Sequence, residues 1–126
     1  MPKIRAELSR KNKYWISKHR FYQLYYFCLQ WPEKLDRLQE LEEDFSPSAD
    51  GERKQIGVYM SILTSSAEEA SPLYAKAILR KVTSEGTTFH QLKNEMNLSC
   101  TSGQFGSLIH RFYWLLSQKE LYVLNP

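Results

Sequence analysis

Cysteine is almost missing from this chain of 126 residues: Cys28 and Cys100 lie far apart and in no paired spacing. That excludes a disulfide framework and a zinc module, and makes a reducing cytoplasm the expected compartment. Long apolar runs are missing too, since none approaches the roughly 18 residues of a membrane span. The N-terminal stretch MPKIRAELSRKNK is polar where a secretory signal would carry an apolar core, so neither membrane insertion nor export by that route is expected. Histidine is scarce, and His19, His90 and His110 fall in three different predicted helices with no Cys or carboxylate at ligand spacing, which argues against a zinc site. No GxSxG, Gly-rich phosphate loop or HExxH occurs. No cofactor, metal or catalytic residue is therefore expected, and an enzyme is the least supported class. Strand alternation and Asn-Gly hairpins are also absent, which leaves an all-α fold.

What remains is the make-up of a folded chain: 42% hydrophobic, 13% aromatic and 25% charged residues argue against disorder, and the length suits one domain with one core. Charge is spread unevenly. Met1 to Arg20 holds seven cations against Glu7, a net +6, whereas Glu33 to Glu52 holds eight acids against Lys34 and Arg37, a net −6. Residues 1–16 are thus read as a basic arm and 17–126 as a single all-α domain of five or six helices. The arm suits a phosphate backbone, whose neutralisation releases counterions. It equally suits a solvated leader, or a segment that folds onto the acidic stretch.

Periodicity places the helices. Ser17 is an N-cap, and Phe21, Leu24, Tyr25, Cys28 and Leu29 share one face behind it. Pro32 and Glu33 suit the first turn of a second helix carrying Leu35, Leu38 and Leu41, with the break at Trp31. Asp44 to Glu52 (DFSPSADGE) reads as a long loop. Ile56 to Leu63 is dense enough for a buried helix, and Pro72 opens another over Leu73 to Val82, with Lys76, Arg80 and Lys81 on one side.

The last forty residues carry the clearest pattern. After Gly86, Thr88 and Gln91 have capping-box spacing and open a short helix with Phe89, Leu92 and Met96. Asn97 is placed for a left-handed turn and Leu98 for plugging it. Thr101 and Gln104 repeat the box before a face of Phe105, Leu108, Ile109, Phe112, Leu115 and Leu116. Short helix, tight turn and long helix over about 87–119 is the order of a helix-turn-helix, and also that of an ordinary hairpin in a helical bundle. Core positions are expected at Phe21, Leu24, Cys28, Leu92, Leu108, Phe112 and Leu115, with the first helix central because its aromatics cover several faces. Tyr22, Tyr26 and Trp31 suit that core, a partner-binding patch or a base-stacking platform. The tail LYVLNP (Leu121 to Pro126) is expected to pack on the domain or at a dimer contact, Cys28 to be an inert buried thiol, and Cys100 to be the more exposed of the two.

Two segments, YWISKHRFYQLYYFCLQWPEKL (Tyr14 to Leu35) and LSCTSGQFGSLIHRFYWLL (Leu98 to Leu116), resemble small phage and prophage proteins of Gram-positive bacteria. These are related to the RinA and ArpU late-gene transcription regulators, whose C-terminal half is similar to the promoter-reading helix-turn-helix of sigma factors. The resemblance implies a phage-encoded regulator in the bacterial cytoplasm, with double-stranded DNA and host RNA polymerase as partners and a homodimer as one arrangement. In a helix-turn-helix the start of the second helix enters the major groove, so Thr101, Ser102, Gln104 and Ser107 would read bases and Arg111 would reach backbone or a guanine. Lys11, Lys13, Lys18 and Arg20, with Lys76, Arg80 and Lys81, would meet phosphates. The family's Arg- and Lys-rich second helix is here replaced by Ser102, Gly103, Gln104, Gly106 and Ser107. That departure supports the alternative, an inhibitor that turns the same scaffold against a host protein such as polymerase or a CRISPR nuclease.

Overall fold

Most helices begin where a side chain can answer their first free N–H groups. In the computed structural model, which describes residues 11–119, Ser17 accepts from the Arg20 N–H at 3.2 Å and opens α1, Lys18–Cys28. Pro32 sits in the first turn of α2, Trp31–Glu40. Ser46 accepts from the Ala49 N–H and opens α3, Pro47–Ala70. Then come α4, Ala75–Val82, α5, Phe89–Met96, and α6, Ser102–Ser117. The fold is all-α, with no strand among the described residues.

The loop expected over Asp44–Glu52 is largely helix. Ser46 as N-cap, Pro47 in the first turn and Asp50 near the positive end of the dipole together form a helix start. Only Asp44 to Ser46 remain as linker beyond the last turn of α2. Pro72 does not open α4. Ser71 leaves α3 in an extended conformation and its hydroxyl accepts from the Tyr74 N–H at 3.2 Å, so Pro72–Tyr74 make a turn and the helix starts at Ala75.

The central helix is α3 rather than α1. Its 24 residues pack against α6 and α4 along one half and α2 along the other, while α1 lies mainly on α6. Ser66, Ala67 and Ala70 are buried on α3, and such small side chains allow a close helix approach. Buried side chains of α3 and of its neighbours, among them Tyr59, Leu63, Leu24, Ile78, Leu92 and Phe112, make one continuous core. A satellite cluster of Leu41, Ala49 and Ile56 lies under the α2–α3 turn.

α3 also supplies the donors that end its neighbours. The Tyr59 hydroxyl, buried, donates to the Phe27 carbonyl at 2.7 Å and lies 3.1 Å from that of Cys28, satisfying the C-terminal carbonyls of α1 where the chain breaks toward α2. Arg53 donates to the Leu41 and Asp44 carbonyls at 2.5 and 2.7 Å and pairs with Asp50, closing the end of α2 in the same way.

Of the seven expected core residues, Phe21, Leu24, Cys28, Leu92 and Phe112 are buried, but Leu108 and Leu115 are only half-buried. α6 is rotated so that Phe105, Phe112, Tyr113 and Leu116 face inward, and the Tyr113 ring meets Phe21 edge-on at 5.1 Å. Cys100 is buried rather than exposed, because the α5–α6 turn folds inward and seats Leu98 and Cys100 together in the core. The expectations for the first ten residues of the arm and for the tail Leu121 to Pro126 lie outside the described residues. No helix among the described residues is long and apolar enough to cross a membrane.

Candidate nucleic-acid interface

Both helices of the C-terminal pair open with reciprocal hydrogen bonds. In α5 the Gln91 N–H donates to Thr88 Oγ1 at 3.2 Å and the Thr88 N–H to Gln91 Oε1 at 2.9 Å. In α6 the Gln104 N–H donates to Thr101 Oγ1 at 3.1 Å and the Thr101 N–H to Gln104 Oε1 at 2.9 Å. Between them Asn97 takes φ 56° and ψ 50°, the left-handed conformation that Asn tolerates through its short polar side chain. Ser99 of the turn is bonded to the Tyr74 hydroxyl at 2.7 Å, and Phe89 meets Phe105 at 5.5 Å. α4 packs on both α5 and α6, so the three helices form one unit.

The face that this unit presents is small and polar. Thr101, Ser102, Gln104, Ser107 and Arg111 are all exposed, and Gln104, Ser107 and Arg111 recur at i, i+3 and i+7 along the outer side of α6. The structure thus brings the five expected base-reading residues onto one helix end and one face. It also occupies one of them: with its Oε1 on the Thr101 N–H, the Gln104 amide can make a bidentate contact to adenine only by opening its capping box. The Ser107 hydroxyl donates to the Gly103 carbonyl at 3.2 Å.

The expected phosphate contacts divide. Lys11, Lys13, Lys18 and Lys76 are exposed. Lys13 lies over the Tyr14 ring at 5.0 Å, Tyr14 meets Trp114 of α6 edge-on at 5.4 Å, and Ile16 is buried, so the described end of the arm is fastened to the domain. Arg20 donates to Gln23, Arg80 pairs with Glu95 of α5, and the Lys81 ammonium donates to the Thr87 carbonyl at 2.5 Å. Each of these three cations has one contact within the fold. Glu95 and Thr87 lie 15 and 6 residues from their partners and leave no local signature, whereas Gln23 stands at the i+3 position from Arg20 and could have been read from spacing.

Gly106 sits inside α6 with an ordinary helical backbone, and a Cβ built there meets nothing within 4 Å. Gly106→Ala is therefore expected to stabilise the domain by about 0.8–1 kcal/mol, the helix-propensity difference. A thermal melt checks this, and a lower melting temperature would mean that packing at α6 requires the glycine.

The acidic stretch is partly self-neutralised. Arg37 donates to both Glu52 oxygens, at 2.5 and 2.9 Å, and to Glu40 at 2.8 Å. Its guanidinium holds the Glu52 carboxyl below the usual range, and the Ser46 backbone N–H does the same for Asp44. Glu33, Asp36, Glu42 and Glu43 face outward and are exposed. Burial pushes the Cys28 thiol well above its ordinary value, which keeps it from forming the reactive thiolate. Among the described residues no three His, Cys, Asp or Glu side chains converge as metal ligands would. Comparison of the chain with protein families, with curated proteins and with solved structures finds nothing that matches.

Proposed function

We propose that the chain is a DNA-binding transcription regulator of the phage-encoded kind its sequence resembles, presenting the start of α6 to a major groove. The observation that carries this reading is the joined unit of α4, α5 and α6, with its left-handed Asn97 turn, two capping boxes and an outer α6 face free of large apolar side chains. Exposed Lys11, Lys13, Lys18 and Lys76 supply sequence-independent attraction, while Ser102, Ser107 and Arg111 read bases.

Selection from a random duplex library tests it. A recovered site is the expected result, and in a symmetric dimer its half-sites lie about one helical turn apart. Replacing Lys11 and Lys13 by Gln should weaken binding to every sequence alike, lowering the salt slope by roughly 0.9 per lost phosphate contact. Ser107→Ala with Arg111→Ala should instead change the preference among sites by about 1–3 kcal/mol. If a demonstrated site preference survives both substitutions, α6 is not the reading element. The second reading, a host-protein inhibitor, draws on Gly103 and Gly106 in α6 and on the outward acids of α2. Recovery of one host protein from a nuclease-treated lysate, with no duplex selected, would favour it.

A further inference from the structure

Sequence reading assigned most aromatics to the core, yet several of them border open space. Between α1, α6 and the α4–α5 turn lies a cleft of about 480 Å³. Phe21 and Tyr25 of α1, Phe105, Ile109 and Tyr113 of α6, and Phe89 of α5 line it, and Phe21 and Tyr113 touch edge-on at 5.1 Å where the two helices meet. The size lies within the roughly 300–1,000 Å³ of small-molecule sites, and the pattern of apolar walls with a few polar groups is theirs as well.

Two glycines line this cleft, and only at Gly86 does the backbone, with φ 76°, call for one. Gly106 lines it from α6 and Gly86 from the turn, and a Cβ at either position meets nothing within 4 Å. Packing therefore does not require glycine at Gly106, and what the glycine leaves there is room. The cation lining the cleft is Lys81, whose stem is half-buried and whose ammonium is anchored by the Thr87 carbonyl at 2.5 Å. An ammonium has three N–H donors, so two remain for an incoming acceptor. Ser102 and His110 contribute further polar atoms to the lining, and Glu85, exposed in the same turn, does not line it. Burial raises the Tyr25 phenol above its ordinary value, and the Glu85 carboxylate near it acts in the same direction.

We infer that this cleft binds a flat aromatic anion, with the ring against the aromatics of α1 and α6 and the anionic group on Lys81. Stacked and edge-on ring contacts suit a planar guest, and the ammonium supplies charge complementarity. The site does not require that α6 read DNA, so its test stands apart from the duplex selection.

The test is titration calorimetry of the full chain with 1-naphthoate and, as a neutral partner of the same shape, 1-naphthalenemethanol. One saturable site for naphthoate is expected. Gly106→Leu, which fills the cleft from a helix position that favours Leu over Gly, should weaken binding by about tenfold or more without lowering the melting temperature. Lys81→Met should weaken naphthoate by about tenfold and leave the alcohol nearly unaffected. No saturable binding below millimolar concentration, or binding indifferent to Gly106→Leu, overturns the inference. Equal loss of acid and alcohol in Lys81→Met overturns the role of the cation. Displacement of naphthoate by an apolar helical peptide that binds more tightly would reassign the cleft to a protein anchor.

Discussion

Phe112→Ala is expected to cost about 3–5 kcal/mol. The ring is fully buried in the middle of α6, the helix that packs most extensively on α3, and it stands edge-on to Tyr113 at 5.2 Å. Truncation removes the transfer energy of the ring and leaves a void that a helix pinned at both ends cannot close. α6 is held at its start by Phe105, buried beside Phe89 of α5 at 5.5 Å, and at its end by Lys119, which donates to Glu69 of α3 at 2.7 Å. Domains of this size have net stabilities of about 5–15 kcal/mol, so the variant should lie near the edge of folding. Urea denaturation should show a much lower midpoint with an unchanged slope. Leu115→Ala, at a half-buried position of the same helix, should cost clearly less. An inverted order would mean that α6 is rotated from the orientation described.

Tyr59→Phe should cost about 1–3 kcal/mol, the penalty for stranding buried acceptors. The ring can stay, since its packing on Phe27 at 4.9 Å and Trp31 at 6.1 Å involves carbon alone. What disappears is the donor for the carbonyls that end α1. Amide exchange should therefore accelerate at the α1–α2 junction more than at α5, whereas uniform acceleration would show that Tyr59 acts only on global stability. Burial also raises the Tyr59 phenol above its ordinary value near 10. The unfolded chain then releases this proton first, so the hydroxyl's contribution is complete below about pH 10 and is lost as pH rises beyond it. Tyr59→Phe should lack that part of the alkaline loss, which stability curves from pH 9 to 11 would reveal.

The helical class, the N-caps at Ser17, Thr88 and Thr101, the left-handed turn at Asn97 and five of seven expected core positions were all legible in the residue pattern. These depend on contacts within four residues or on the 3.6-residue period, which are local quantities. Features that depend on partners distant in the chain emerged from the packing of the helices. The stretch Asp44–Glu52 reads as loop by composition, yet Arg53 reaching back to Leu41 and Asp44, with Ala49 buried under the turn, makes its second half the start of the longest helix. The buried face of α6 keeps Phe105, Phe112 and Leu116 but turns from Leu108 and Leu115 toward Tyr113, which meets Phe21 of α1. Arg80 and Lys81 look free as sequence and are engaged by Glu95 and Thr87, fifteen and six residues away. The aromatic cleft is the clearest case: its walls come from α1, α6 and the α4–α5 turn, and no window along the chain contains them together.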